Sequence, residues 1–176
     1  MELDAIVEVP QNSKVKYEFC DKSNRIRVDR VLPSAYNYPF NYGYIENTIA
    51  EDNDSLDIMI LNDQPIYPMS IIKVKPVGVL LMRDGKTMET LEGDPKILAY
   101  PADSVDMRYV DKKDIGDVDE VKKMILKDFF SNYKNNENKV AIVDGFGDRK
   151  MAIEIIEKSF EQYKIQNNLK NISFFS

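Results

Sequence analysis

Ile71-Ile72-Lys73-Val74-Lys75-Pro76-Val77-Gly78-Val79-Leu80-Leu81-Met82 is the longest of several apolar, β-branched runs in the first hundred residues, and Asp84-Gly85 follows it closely. The run reads as a strand, and Asp-Gly as a hairpin-turn signal with Lys86 to Leu91 as the return strand. Shorter runs of the same kind lie at Ile6 to Val9, Val15 to Phe19, Ile26 to Leu32 and Leu56 to Leu61. A further strand is expected from Ile97 to Tyr100, stopping at Pro101. Short, regularly spaced strands of this sort build a small barrel or a sandwich.

Downstream the periodicity changes. Asp117 reads as a helix cap with Glu120 three residues on, and Val118, Val121, Met124, Ile125, Phe129 and Tyr133 fall at helical spacing. A second helix is predicted from about Asp148 to Tyr163, with Ala152, Ile155, Ile156, Phe160 and Tyr163 facing inward. Val140 to Val143 reads as a strand between the helices. The fold class is therefore mainly β with α, as one domain over 1–176 with its core at about 5–165 and a loosely held tail from 166 to 176.

Composition narrows the function classes. The chain has 176 residues, a net charge of −6 and no histidine. Acidity argues against nucleic-acid or anionic-membrane partners, which rely on Lys and Arg excess. No apolar stretch approaches the ~20 residues of a membrane helix, and the acidic start Met1-Glu2-Leu3-Asp4 is unlike a signal peptide, so a cytoplasmic protein is expected. The one cysteine, Cys20, is read as a packed thiol. Without histidine, Ser-His-Asp chemistry, a Cys-His pair and histidine-ligated zinc are all excluded.

The chemistry is expected at Asp52-Asn53-Asp54-Ser55-Leu56-Asp57. In extended chain Asp52 and Asp54 share a face, and Asp57 joins them only if the chain turns between them. Asn53 and Ser55 are turn residues. Three converging carboxylates at ~5 Å would repel by about 3 kcal/mol per pair at an effective dielectric of ~20, which calls for a cation. Oxygen-only ligands favour Mg²⁺, Mn²⁺ or Ca²⁺. An EF-hand loop is excluded because Leu56 and Asp57 stand where a ligand and a glycine belong. Read singly, Lys16 and Arg30 are surface charges on strands, Tyr42 and Tyr44 are barrel packing, Tyr133 is core and Lys134 is its solvated neighbour.

Their order along the chain says more. The segments Lys16-Tyr17-Glu18, Val28-Asp29-Arg30, Tyr38-Pro39-Phe40-Asn41-Tyr42-Gly43-Tyr44, Asp52-x-Asp54-x-x-Asp57, Pro76-Val77-Gly78-Val79-Leu80 and Tyr133-Lys134 resemble the family I soluble inorganic pyrophosphatases of the short bacterial type. The resemblance covers about residues 5 to 165. It implies an OB-like closed β-barrel with two α-helices near the C-terminus, and Mg²⁺-dependent hydrolysis of pyrophosphate to two orthophosphates by a metal-activated water. It gives Asp54 the role of general base and makes Asp52, Asp57, Asp84 and Asp94 ligands of several Mg²⁺ ions, with Mn²⁺ or Co²⁺ as substitutes. It assigns Lys16, Arg30, Tyr42, Lys96, Tyr133 and Lys134 to the phosphoryl groups, with Glu8, Glu18 and Tyr38 in support. A homohexamer is the implied assembly.

The chain departs from the family in three places. Asn53 and Ser55 replace the Gly and Pro of the usual Asp-Gly-Asp-Pro, a change Asn tolerates because it accepts positive φ. The segment from Asp84 to Lys96 is longer, so anchoring from Val77-Gly78-Val79-Leu80 selects Asp84 as metal ligand, whereas counting back from Asp94 selects Glu89; the first anchor is preferred. The family's Glu beside that aspartate is Gly85. Asp128 and Asn132 stand where some relatives carry histidines at the hexamer contact.

Overall fold

In a computed structural model of the chain, residues 1–20 and 22–173 are described, with side chains through residue 168. Five strands close into a ring: β1 (Leu3–Val9), β4 (Asn41–Ile45), β5 (Asp57–Ile60), β8 (Lys96–Pro101) and β6 (Ile71–Gly85). β1 pairs antiparallel with both β4 and β6, which removes both edges of the sheet. β5 and β8 run parallel, and the other ring pairs are antiparallel. This is the OB-like ring of a mainly β chain.

β6 is long enough to serve several partners. Ile71 to Val74 pair with β1, the middle pairs with β8, and the far end pairs with β9 (Val140–Gly147). Pro76 is tolerated because the β6–β8 register shifts between Pro76 and Gly78, where a bulge frees its missing donor. β2 (Val15–Cys20) and β3 (Arg25–Val31) form a separate hairpin. At Gly43 a Cβ would collide with the Ile6 carbonyl, so only glycine lets β4 cross β1 this closely.

The apolar run of β5 is buried on both faces. Ile58 and Ile60 join Ala5, Val7, Val74, Val79 and Ile97 in a core completed by Ala152 and Ile156 of α2 (Arg149–Ser173). Met59 and Leu61 join Tyr42, Leu80, Leu98 and Tyr100 in a second core, completed by α1 (Glu120–Asn132). Period-2 alternation sends neighbouring residues to opposite cores.

Several expectations need correction. The turn after Asp84-Gly85 does not open a strand at Lys86 to Leu91: β6 continues through Gly85, a 3-10 turn occupies Met88–Thr90, and the return strand is the short β7 (Glu92–Gly93). A Cβ on Gly85 would meet the Thr90 carbonyl, which explains glycine there. The N-cap position of α1 is Asp119, which makes no side-chain cap bond, rather than Asp117, whose carboxylate instead accepts from the Lys113 and Asp114 amides. Its buried stripe is Leu126, Phe129, Phe130 and the following Tyr133, while Val121, Met124 and Ile125 face out at 65%, 70% and 42% exposure.

α2 runs ten residues beyond the predicted end, so the expected tail begins inside the helix; 174–176 lie outside the described residues. Cys20 is not packed in the core: it is half-buried at the hairpin end, with Arg27 Nη2 donating to Sγ at 3.6 Å. Among the described residues no helix is long and apolar enough to cross a membrane.

Candidate active site

A polar cleft of about 720 Å³ opens over the ring, and eight segments of chain supply its walls. β1 contributes Glu8, the β2–β3 hairpin Lys16, Glu18 and Arg30, and β4 Tyr42 and Tyr44. The acid loop places Asp52 and Asp54, and the start of β5 places Asp57, along the cleft. Asn53 makes the turn at φ +69°, with its amide donating to the Ala50 carbonyl at 3.1 Å. The Ala50 amide donates to the Asp54 carbonyl at 2.8 Å, and the Asp54 amide to Asp52 Oδ1 at 3.0 Å.

Asp84 enters from the end of β6, Asp94 and Lys96 from the start of β8, and Tyr133 and Lys134 from the end of α1. Glu89 sits on the exposed 3-10 turn outside the cleft, where a hydrogen bond to Thr87 holds its carboxyl below the usual range. Of the two alternatives, the tertiary structure brings Asp84 to the site.

Tyr38 stands behind the wall, buried against Tyr42, Phe129 and Tyr133 with ring centroids at 5.1, 4.9 and 6.4 Å. It fixes Tyr42 and Tyr133 rather than lining the cleft. Phe19, Glu46 and Lys139 line the cleft and were missed. Lys139 follows a left-handed Asn138 at the end of a polar stretch that reads as plain loop.

Three lysines of the cleft are paired with its carboxylates. Lys16 Nζ lies 3.3 Å from Glu8 Oε2. Lys96, 2% exposed, donates to both Asp57 and Asp94, and Lys134 donates to Asp84. Burial pushes the Glu8 carboxyl up to about 7, Lys16 opposing and Asp57 and Glu18 reinforcing. Burial likewise raises Asp94 against the pull of Lys96. Burial alone would lower Lys96, but Asp57 and Asp94 outweigh it and hold the ammonium charged. Burial also keeps Tyr42 and Tyr133 protonated, with Tyr42 bonded to Asp57, so both phenols act as neutral donors.

Two features point to an anionic ligand with a cation. Lys16 and Arg30 are direct cross-strand partners that bring two cations to one wall of the cleft, each with a carboxylate beside it, Glu8 at 3.3 Å from Lys16 and Asp29 at 4.0 Å from Arg30. Yet the cleft as a whole carries eight carboxylates against five Lys and Arg side chains, so a polyanion could enter only with added positive charge. Among the described residues no three acidic side chains already stand as a ready ligand cage. The donors Asp52, Asp57, Asp84 and Asp94 are all hard carboxylate oxygens, however, and fit an Mg²⁺-like ion once the lysines release them.

Comparisons with known proteins agree with this chemistry. A family model described as inorganic pyrophosphatase matches residues 5–164. The inorganic pyrophosphatase of Campylobacter jejuni is 42% identical over 163 residues, spanning 92% of this chain and 92% of that protein. That of Nanoarchaeum equitans is 42% identical over 167 residues, spanning 94% and 100%. The solved structure of the Helicobacter pylori inorganic pyrophosphatase matches with a TM-score of 0.85 at 37% identity, covering 93% of this chain and 94% of that one. Shared order of motifs, shared ring and shared length lead to one conclusion: the chain belongs to the inorganic pyrophosphatase family.

Proposed function

We propose that this protein hydrolyses inorganic pyrophosphate to two orthophosphates in an Mg²⁺-dependent reaction, with Asp54 as general base. The observation that carries the reading is the opposition in one cleft of the Lys16–Arg30 pair and the aspartates of three separate segments. The family implies a metal cofactor, and Asp52, Asp57, Asp84 and Asp94 are the residues that would hold it, as Mg²⁺ or, in substitution, Mn²⁺ or Co²⁺. Such ions, when bound, neutralise the substrate's charge and make a water more acidic.

The chain's own residues do the rest. Arg30 grips one phosphoryl group in a fork and Lys16 adds a point charge beside it. Lys96, Lys134, Tyr42 and Tyr133 bind phosphoryl oxygens, the phenols as neutral donors. Glu8 holds Lys16 in place, Glu18 stands beside it on β2, and Tyr38 backs the two phenols. Asp54 lies exposed at the cleft mouth, where it takes the proton of the attacking water and passes it to solvent. The water oxygen bonds to phosphorus as the bridging P–O bond breaks, and the second phosphate leaves.

The same reading makes the protein a cytoplasmic homo-oligomer, a hexamer, with no nucleic-acid or membrane partner. Its support is the acidic surplus and the outward Val121, Met124 and Ile125 of α1, an apolar strip suited to a second copy. The test of the activity is phosphate release from pyrophosphate with Mg²⁺, repeated with Asp54→Asn. A folded protein with no Mg²⁺-dependent turnover, or an Asp54→Asn variant as active as the parent, would refute it.

A further inference from the structure

Asp52 and Asp54 stand on the loop between β4 and β5, residues 46–56, and both are exposed. Asp57 does not depend on this loop, since it pairs with Tyr44 in the β4–β5 ladder. What aims the first two carboxylates is therefore the way the loop is fastened. The bonds at its tip run among Ala50, Asp52, Asn53 and Asp54, so they shape the tip without tying it to the ring.

The fastening is at the neck, and a buried hydroxyl stands at its centre. Asn47 takes the left-handed conformation at φ +59°, which turns the chain back over the end of β4. Thr48 follows, 2% exposed. Its Oγ1 donates to the Ile45 carbonyl at 2.5 Å and accepts from the Leu56 amide at 2.9 Å, so a single atom joins the end of β4 to the start of β5. Beside it the Ile45 amide donates to the Leu56 carbonyl at 2.9 Å, and the Ile49 amide reaches the Ser159 carbonyl of α2 at 3.0 Å. The pair of Lys158 with Glu51 at 3.1 Å is largely exposed and holds little. Leu56 and Ala50 add packing on the core around Ile58, but packing is non-directional, and the hydroxyl fixes the angle between the two ends of the loop.

The place calls for a hydroxyl. It must donate to one backbone carbonyl and accept from one backbone amide, and a valine of the same shape can do neither. Without it the Leu56 amide, on a residue 1% exposed, is left unpaired. That amide finds a new acceptor in water only if the neck opens, and an open neck swings the tip that carries Asp52 and Asp54.

We infer that Thr48 is a positioning residue for the proposed hydrolysis, its hydroxyl holding the acid loop at the angle that aims Asp54, and Asp52 with it, into the cleft. The effect on turnover rests on the role proposed for Asp54; the hold on the loop does not. Thr48 is not among the residues lining the cleft, so it acts only through the loop.

The experiment compares the full chain with its Thr48→Val, Thr48→Ala and Thr48→Ser variants, by amide hydrogen exchange without Mg²⁺ and by pyrophosphate turnover with it. In the parent the Leu56 amide is expected to exchange slowly although it lies outside the ladder. Thr48→Val and Thr48→Ala are expected to lose that protection at Leu56 and Ala50 while the amides of β5 stay as in the parent, and Thr48→Ser to keep it. The kcat of the first two variants is expected to fall roughly 10- to 100-fold, the scale of a misplacement of about 1 Å. KM for pyrophosphate is expected to stay within about twofold, because Lys16, Arg30, Lys96 and Lys134 lie on other elements. Thr48→Ser is expected to restore turnover, and in an Asp54→Asn background Thr48→Val is expected to cost less than about threefold, since no base is left to aim. A Leu56 amide that exchanges freely in the folded parent would overturn the inference whichever variants fold. A folded Thr48→Val with parental kcat, a serine variant no better than the alanine one, or an undiminished effect in the Asp54→Asn background would each overturn it as well. Loss of protection on removing the hydroxyl, in a protein that never hydrolyses pyrophosphate, would uphold the hold on the loop and count against the proposed function.

Discussion

Replacing Lys96 by Met tests how the cleft is held together. The ammonium is 2% exposed and donates to Asp57 and Asp94, whose side chains are 22% and 15% exposed. Both carboxylates touch the same nitrogen, so their oxygens lie within about 5 Å, where like charges repel by about 3 kcal/mol at an effective dielectric of ~20. Loss of one partner from a buried ion cluster costs a similar ~3–5 kcal/mol. Lys96→Met in chelator at pH 8 is therefore expected to lose about 3–5 kcal/mol in urea denaturation.

The dependence on conditions separates this cause from simple cavity formation. With the ammonium gone, the two carboxylates take up a proton on folding, so the folded variant binds more protons than the unfolded chain. Its stability is then greatest at low pH and falls as pH rises. The deficit relative to the parent is expected to be small near pH 4.5, full at pH 8, and reduced at pH 8 by millimolar Mg²⁺. A deficit of constant size across pH and Mg²⁺ would refute the electrostatic reasoning and leave only lost packing.

Three further outcomes follow from particular contacts. Glu8 has a folded-state pKa of about 7 against an ordinary 4.5, so its contribution is fully present below pH ~4.5 and is lost as pH climbs through 7, by up to about 3 kcal/mol; Glu8→Gln in chelator is expected to gain in melting temperature relative to the parent between pH 5 and 8, and parallel melting curves would contradict this. Arg30→Gln removes a charged donor worth ~1.5–3 kcal/mol, so kcat/KM for pyrophosphate is expected to fall roughly 10- to 150-fold with an unchanged melt, and a smaller loss would take Arg30 off the substrate. Met124→Glu with Ile125→Asp on the exposed strip of α1 is expected to dissociate the oligomer in sedimentation velocity, and an unaltered sedimentation coefficient would place the interface elsewhere.

The strands were legible because β-branched runs bounded by turn residues have few other ways to bury themselves; the β5 run and the long β6 lie close to where their composition put them. The α1 face was legible in part, since Phe129 and Tyr133 of the predicted stripe are buried. Val121, Met124 and Ile125 and the neighbouring Leu126, Phe129 and Phe130 offer two apolar stripes on one helix, and periodicity cannot say which one meets the sheet. The tertiary structure turned the second stripe inward, since only it meets Tyr38 and the β6–β9 face.

The site divides in the same way. The sequence by itself determined that Asp52 and Asp54 flank a turn, because Asn53 takes the left-handed conformation there, with Asp57 following at the start of β5. It also held the Lys, Arg and Tyr set, legible as an ordered resemblance though not from any single residue. What only the tertiary structure decided depends on distances across the ring: that Asp84 rather than Glu89 reaches the cleft, that Tyr38 stands behind it, that Lys139 lines it, and that Lys96 reaches back 39 residues to Asp57 while also holding Asp94. Spacing along a chain fixes which side chains share a local face, while closure of the sheet fixes which of those faces meet.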